Sequence, residues 1–284
     1  MRINRIINYI ALTLILFLVI TNFSACSKKS AKSAPKNISE NEKKVPDSLK
    51  ELESGIQDII DELDKKENTE KSEAKVKIES KTEMKQESDK DKSKNEMKEE
   101  TKEEIKKESP QDKQWKSVTQ KVESLHKQWN SLQPEVVKAG IPKKVIDEFS
   151  NSLNTLTTYT QTEDKQNTLF YANELYRLIP DFMEQYHSKT PPDLKRIGYF
   201  VRDAKYNGMI NQWEKSKSSI NNLKSHWSIV KAQVKKEQEK QASTMEFSIY
   251  ELEKVILLSD INLTTIKSDI VLENLKKLEE SFEK

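Results

Sequence analysis

The sequence predicts an all-α protein, an elongated antiparallel helical bundle carried behind a charged, low-complexity segment. Three observations predict it. Four glycines in 284 residues, far below the ordinary ~7%, leave too few flexible positions for tight hairpins or a glycine-rich nucleotide loop. Apolar side chains beyond residue 112 recur at three- and four-residue spacing, and no run alternates with the period of two that a half-buried strand needs. All 17 aromatic residues beyond residue 26 lie from Trp115 onward, so the material for a core sits in the last ~170 residues, enough for one domain.

Charge and cysteine content bound the function. Lys plus Arg (49) nearly balances Asp plus Glu (47), which gives no basic footprint for nucleic acid. A single cysteine forms no internal disulfide.

The N-terminal element is read as an export signal. Arg2 and Arg5 precede an uncharged run from Ile6 to Ile20, whose 15 residues span about 22 Å as a helix, short of the ~30 Å hydrocarbon core. A basic start, a short apolar stretch and small residues, here Ser24 and Ala25, form the layout of a secretory signal. Phe23 to Cys26 resembles the lipobox of bacterial lipoproteins, with Phe23 where that family usually has leucine. The resemblance covers about the first 26 residues. It implies that residues 1–25 are a signal peptide and that Cys26 is acylated, palmitate-type, and becomes the mature N-terminus. It also implies a lipid-anchored, extracytoplasmic position on the cell membrane, facing cell-wall or envelope protein partners. A retained membrane helix and an ordinary cleaved signal are the alternatives.

Residues 26–112 read as a charged tether. Positions 61–110 hold 14 Lys, 13 Glu and 4 Asp, and such a stretch buries too little apolar surface to offset the entropy of ordering it. One island interrupts it, 46–63, where Leu49, Leu52, Ile56, Ile59, Ile60 and Leu63 recur at helical spacing. Ser48 and Glu51 make a capping-box pattern, and Gly55 costs the helix ~1 kcal/mol relative to alanine. Docking on the C-terminal domain, binding a partner and a barely formed helix all stay open.

Residues 113–284 form the predicted bundle. The first helix carries Trp115, Val118, Val122, Leu125, Trp129, Leu132 and Val136 on one stripe. A second follows Gly140–Pro142, and a third runs from about Thr162 to Tyr186. Lys189–Leu194 breaks the chain and starts a helix over 192–206, since proline suits a first helical turn. Trp115–Trp129 then aligns with Trp213–Trp227 at an offset of 98, as does Glu148–Ser150 with Glu246–Ser248, and Phe182 aligns with Phe282 at 100. The expected architecture is two tandem three-helix units, 113–187 and 209–284, joined by the 192–206 helix. The second unit is expected to have the longer first helix.

Reactive constellations are missing. His126, His187 and His226 belong to no metal-ligand spacing, and no GxSxG, Walker or CxxC pattern occurs. The four tryptophans at 115, 129, 213 and 227 sit at stripe positions and read as core. No enzymatic activity, metal or cofactor is expected. One local feature stands out, the two-faced helix Arg196–Gly208. Ile197, Phe200, Val201 and Ala204 form its apolar face; Tyr199, Arg202 and Tyr206 form a second stripe with Arg196 at its edge. An arginine between tyrosines suits a carboxylate or phosphate through its planar fork, against the plainer reading of a salt bridge and core packing. Arg177 and Asn173 read as solvent-facing. The expectation is a structural or protein-interaction module at the cell surface. The alternative is a ligand-binding lipoprotein that takes a small anion, metal or haem on the Tyr199, Arg202 and Tyr206 face.

Overall fold

Each apolar stripe in residues 44–65 and 109–284 becomes a helix in the computed structural model, which describes these residues. The signal at 1–25, Cys26, and the parts of the charged segment at 27–43 and 66–108 lie outside the described residues. Eight helices form among the described residues: α1 Asp47–Asp64, α2 Pro110–Ala139, α3 Lys143–Gln161, α4 Lys165–Met183, α5 Pro192–Met209, α6 Trp213–Lys231, α7 Glu239–Leu257 and α8 Ile261–Glu283. Capping fixes several starts. Ser109 and Asp112 exchange side-chain and backbone hydrogen bonds ahead of α2, and the Asp164 and Asp260 carboxylates accept the Asn167 and Leu263 N–H at α4 and α8.

The helices close into two rings of four. α1 packs on α2 and α4, α2 on α3, and α3 on α4; α5 packs on α6 and α8, α6 on α7, and α7 on α8, with α4 against α5 as the junction. Each ring has its own core. The expected pair of three-helix units is thereby corrected. The island at 46–63 is the fourth helix of the first ring, and the 192–206 segment, continued to Met209, is the fourth helix of the second as well as its link to the first.

Of the readings left open for the island, docking on the C-terminal domain is the one that holds. Leu49, Leu52, Ile56, Ile59, Ile60 and Leu63 are at most 1% exposed; an apolar side chain gains roughly 1.5–3 kcal/mol on full burial, so six on one stripe hold α1 in place against the charged sequence that flanks it. The close approach of α1 to α2 also explains Gly55, where an added Cβ would lie 2.8 Å from Leu125 Cδ2. Gln114 Nε2 donates to the Glu62 carbonyl at 2.7 Å, so the end of α1 lies beside the start of α2. Ser48 caps nothing: the Pro46 carbonyl opens α1 by accepting the Leu49 N–H, and the Ser48 hydroxyl donates to Glu135.

Local geometry recurs between the rings. Leu49, Leu52, Ile56 and Ile59 on α1 occupy the buried places that Leu194, Ile197, Val201 and Ala204 occupy on α5, 145 residues on. Trp115, Leu125 and Trp129 on α2 match Trp213, Leu223 and Trp227 on α6 at 98. For the last two helices of each ring the spacing is 96. Glu163 and Ser259 both take positive φ, 54° and 55°, ahead of the capping residues Asp164 and Asp260. Phe149, Leu153 and Leu156 correspond in burial to Met245, Ile249 and Leu252. The offsets of 98 and 100 expected here fail because two residues fewer separate Trp227 from α7 than Trp129 from α3. Phe149 is core, while Phe247 is 72% exposed. Nor is α6 long. It stops at Lys231, and Gln238 fixes the break by accepting the Lys235 N–H and donating to the Ser281 carbonyl of α8.

Candidate functional site

Both faces of α5 are spent on packing, because it stands where the rings meet. Leu194, Ile197, Val201 and Ala204 enter the second core, and Tyr199 and Tyr206 enter the first. The Tyr199 hydroxyl donates to Glu174 at 2.8 Å. Tyr206 packs on Phe170, and its buried hydroxyl has no partner among the described residues. Burial pushes both phenols above the ordinary tyrosine range, so they stay neutral. Arg196 pairs with Asp181 at 2.7 Å and Glu184 at 2.8 Å. Of the four residues singled out on this helix, these three do not converge on a common cavity. The expectation for α4 is corrected too. Asn173 is buried and donates to the Tyr199 carbonyl, and Arg177 pairs with Glu148 and Glu174, because α4 is packed by α1, α3 and α5 at once.

Arg202 lines a groove of about 580 Å3 between α1 and α8, with Tyr176, Lys195 and Glu279 among its other lining residues. It is 5% exposed. Its Cζ lies 4.5 Å over the Tyr176 ring, Nη2 donates to Gln57 Oε1, and Nη1 has no partner among the described residues. No carboxylate among the described residues bonds to it, so the plain salt-bridge reading does not describe this arginine within that part of the chain. The lysines on either side are clamped. Lys195 bridges Glu53 of α1 at 2.7 Å and Glu279 of α8 at 3.1 Å. Lys205 bridges Asp64 of α1 at 2.6 Å and Asp269 of α8 at 2.8 Å.

Burial works against the Lys195 charge, but its interactions with Tyr176, Glu279 and Glu53 together more than offset it and hold its pKa above the ordinary lysine value. Burial raises the Glu279 carboxyl despite Lys195. The groove is therefore a set of cross-ties in which cations on α5 hold α1 to α8. Sequence reasoning found Arg202 and missed Lys195 and Lys205. The latent signal was spacing: residues 195, 202 and 205 share one face of α5, as 53, 57 and 64 do of α1.

Histidines and tryptophans take packing roles. His126 bonds Thr157 at 2.8 Å and His226 bonds Asp193 at 2.7 Å. No group of three metal-ligating side chains occurs among the described residues. Trp129 stacks with Phe182 and meets Phe149 at a tilt in the first core, its indole N–H donating to Ser150.

A second feature lies on the outside of the second ring. Phe247, Tyr250, Leu257 and Leu258 project from one exposed stripe of α7, and Ile266 and Ile270 from α8. Lys267 of α8 reaches Glu251 of α7 at 3.4 Å. Ile266 and Ile270 flank Lys267, and Tyr250 and Phe247 flank Glu251, so the two stripes meet across the hairpin. No family model, curated protein or solved structure matches this chain.

Proposed function

We propose that the chain is an extracytoplasmic lipoprotein, anchored through acylated Cys26, whose helical bundle is a protein-docking module without enzymatic activity. The observation that carries the docking role is the outer α7–α8 face, an apolar surface centred on Phe247 and Leu258 that no described part of the chain covers. The interior supports the same reading, since Lys195 and Lys205 on the α5 face toward α1 and α8 are each held by two of the protein's own carboxylates. With α1 inside the bundle, only residues 27–43 separate Cys26 from the first described residue, a reach of at most about 60 Å. The module then stands close to the membrane rather than far from it. We also infer that the two rings arose by duplication of a four-helix unit, with 66–108 inserted between the first two helices of the first copy; the recurring caps and positive-φ residues favour this reading.

The anchor is tested by labelling with radioactive fatty acid, which should enter the wild type and not Cys26→Ser. The docking role is tested with a photoreactive residue at position 247 of the full chain in intact cells. Adducts should form there and not from position 151; their absence at 247 would remove the reading.

One observation favours the ligand-binding alternative: Arg202 Nη1 is buried and unpartnered beside the groove. Replacing Arg202 by methionine discriminates, as developed below.

A further inference from the structure

Resting on the docking role proposed above, we infer that the outer α7–α8 face is an interface between two copies of this chain. The fold itself does not require the face to be apolar. At the spacing of 96, Phe247, Tyr250, Leu258 and Ile270 stand where the first ring has Asn151, Asn154, Thr162 and Glu174. Asn151, Asn154 and Thr162 are exposed there, so α3 stands in water with a polar outer face where α7 carries an apolar one.

Size fits a second copy. With Leu263, the face exposes roughly 700 Å2, taking about 150–250 Å2 for a whole large side chain. The largest apolar patch on an ordinary monomer is about 300–600 Å2, and each partner in a stable complex buries about 800 Å2.

Charge selects the occupant. Residues 246–273 carry six acids (Glu246, Glu251, Glu253, Asp260, Asp269 and Glu273) and two bases (Lys254 and Lys267). Yet the chain pairs these acids itself: Glu251 with Lys254 and Lys267, Glu246 with Lys231, Glu253 with Lys224. Asp269 and Glu273 are likewise paired, with Lys205 and Lys277, and Asp260 is occupied as the α8 cap. A rim neutralised in this way neither demands a cationic partner nor repels its own image, as a two-fold self-complementary interface requires. Phe247 and Leu258 lie 11 residues apart on α7, about 16 Å at the helical rise. In an antiparallel crossing, Phe247 of each copy meets the Leu258 end of the other.

The test uses two differently tagged full-length chains in the same cells, each with the photoreactive residue at 247. A product of twice the chain mass carrying both tags is expected, and Leu258→Asp in both copies should reduce it about tenfold or more. Leu258 is 74% exposed, so this variant keeps its fold, which unchanged far-UV circular dichroism verifies. A product with a different protein, or a lipid adduct, overturns the second copy while leaving 247 a contact surface. No product at all overturns both the second copy and the docking role.

Discussion

Ile56→Ala separates a bundle helix from a spacer helix. Ile56 is fully buried on α1, one residue from Gly55, where α1 comes closest to Leu125 of α2. Removing a buried isoleucine to alanine costs about 2–5 kcal/mol, the transfer loss plus the cavity left by partial relaxation. Tight packing at Gly55 restrains collapse of the cavity, which argues for the middle of that range or above, about 3–4 kcal/mol. For a domain of this size each kcal/mol shifts Tm by about 2–4 °C, so the midpoint should fall by roughly 6–16 °C.

The companion variant replaces residues 66–108 by a short Gly/Ser linker. With the end of α1 beside the start of α2, shortening the connection from 45 residues to about 8 removes closure entropy worth about 1.5 kcal/mol. Urea and thermal unfolding followed by circular dichroism read both variants. The first should lose stability and the second should keep or gain it. An Ile56→Ala variant within about 0.5 kcal/mol of wild type would refute the placement of α1 in the core.

Other consequences follow from single contacts. Gly55→Ala should destabilise by about 1–2 kcal/mol in urea titrations even though alanine is the better helix former, because its Cβ would sit 2.8 Å from Leu125 Cδ2. Arg202→Met should leave stability within about 1 kcal/mol or raise it, since a buried guanidinium with an unpartnered N–H is replaced by an apolar chain. A loss above about 3 kcal/mol would show that Arg202 is held as a structural tie, whereas the disappearance of a phosphate-induced thermal shift present in wild type would favour the anion-site reading. Asp164→Ala should cost about 1 kcal/mol at neutral pH through loss of the α4 cap. The Asn167 backbone N–H, with its side-chain amide, holds the Asp164 pKa below the ordinary aspartate value. Its contribution is therefore present above about pH 4 and is lost as pH falls through the lowered folded value. The gap between the two proteins in a pH series of melts should narrow as pH is lowered below about 4.

What was legible in the sequence was whatever one helix decides alone. The α2 stripe fixes its own period, and all seven of its apolar residues are buried. The α1 stripe was equally regular, but composition over 26–112 averages it with lysine and glutamate, so its partner could not be named. Tertiary relations were less legible. The shared Glu-Phe-Ser triplet pointed to an offset of 98, yet Phe149 is core and Phe247 is solvent-facing, because register is set by caps and by the length of the preceding link. The better signal was the capping aspartates at 164 and 260. Tyr199 and Tyr206 looked like a binding stripe because a helix with two distinctive faces reads the same whether its second face meets a ligand or another bundle.

That ambiguity resolves through the position of α5 and moves attention elsewhere. A helix packed by α4, α6 and α8 has no face left to offer, and its cations Lys195 and Lys205 already carry two carboxylates each. A partner that competed for them would have to break contacts joining α1 to α8, and so work against the junction of the two rings. α3 and α7 are each packed by only two neighbouring helices and keep an outer face. On α3 that face bears Asn151 and Asn154, whose amides are satisfied by water at no cost. On α7 it bears Phe247, Tyr250 and Leu257, whose exposure costs free energy that burial against a partner returns. The proposed docking role therefore rests on the α7–α8 surface, and the charged groove is the joint that holds the two rings together.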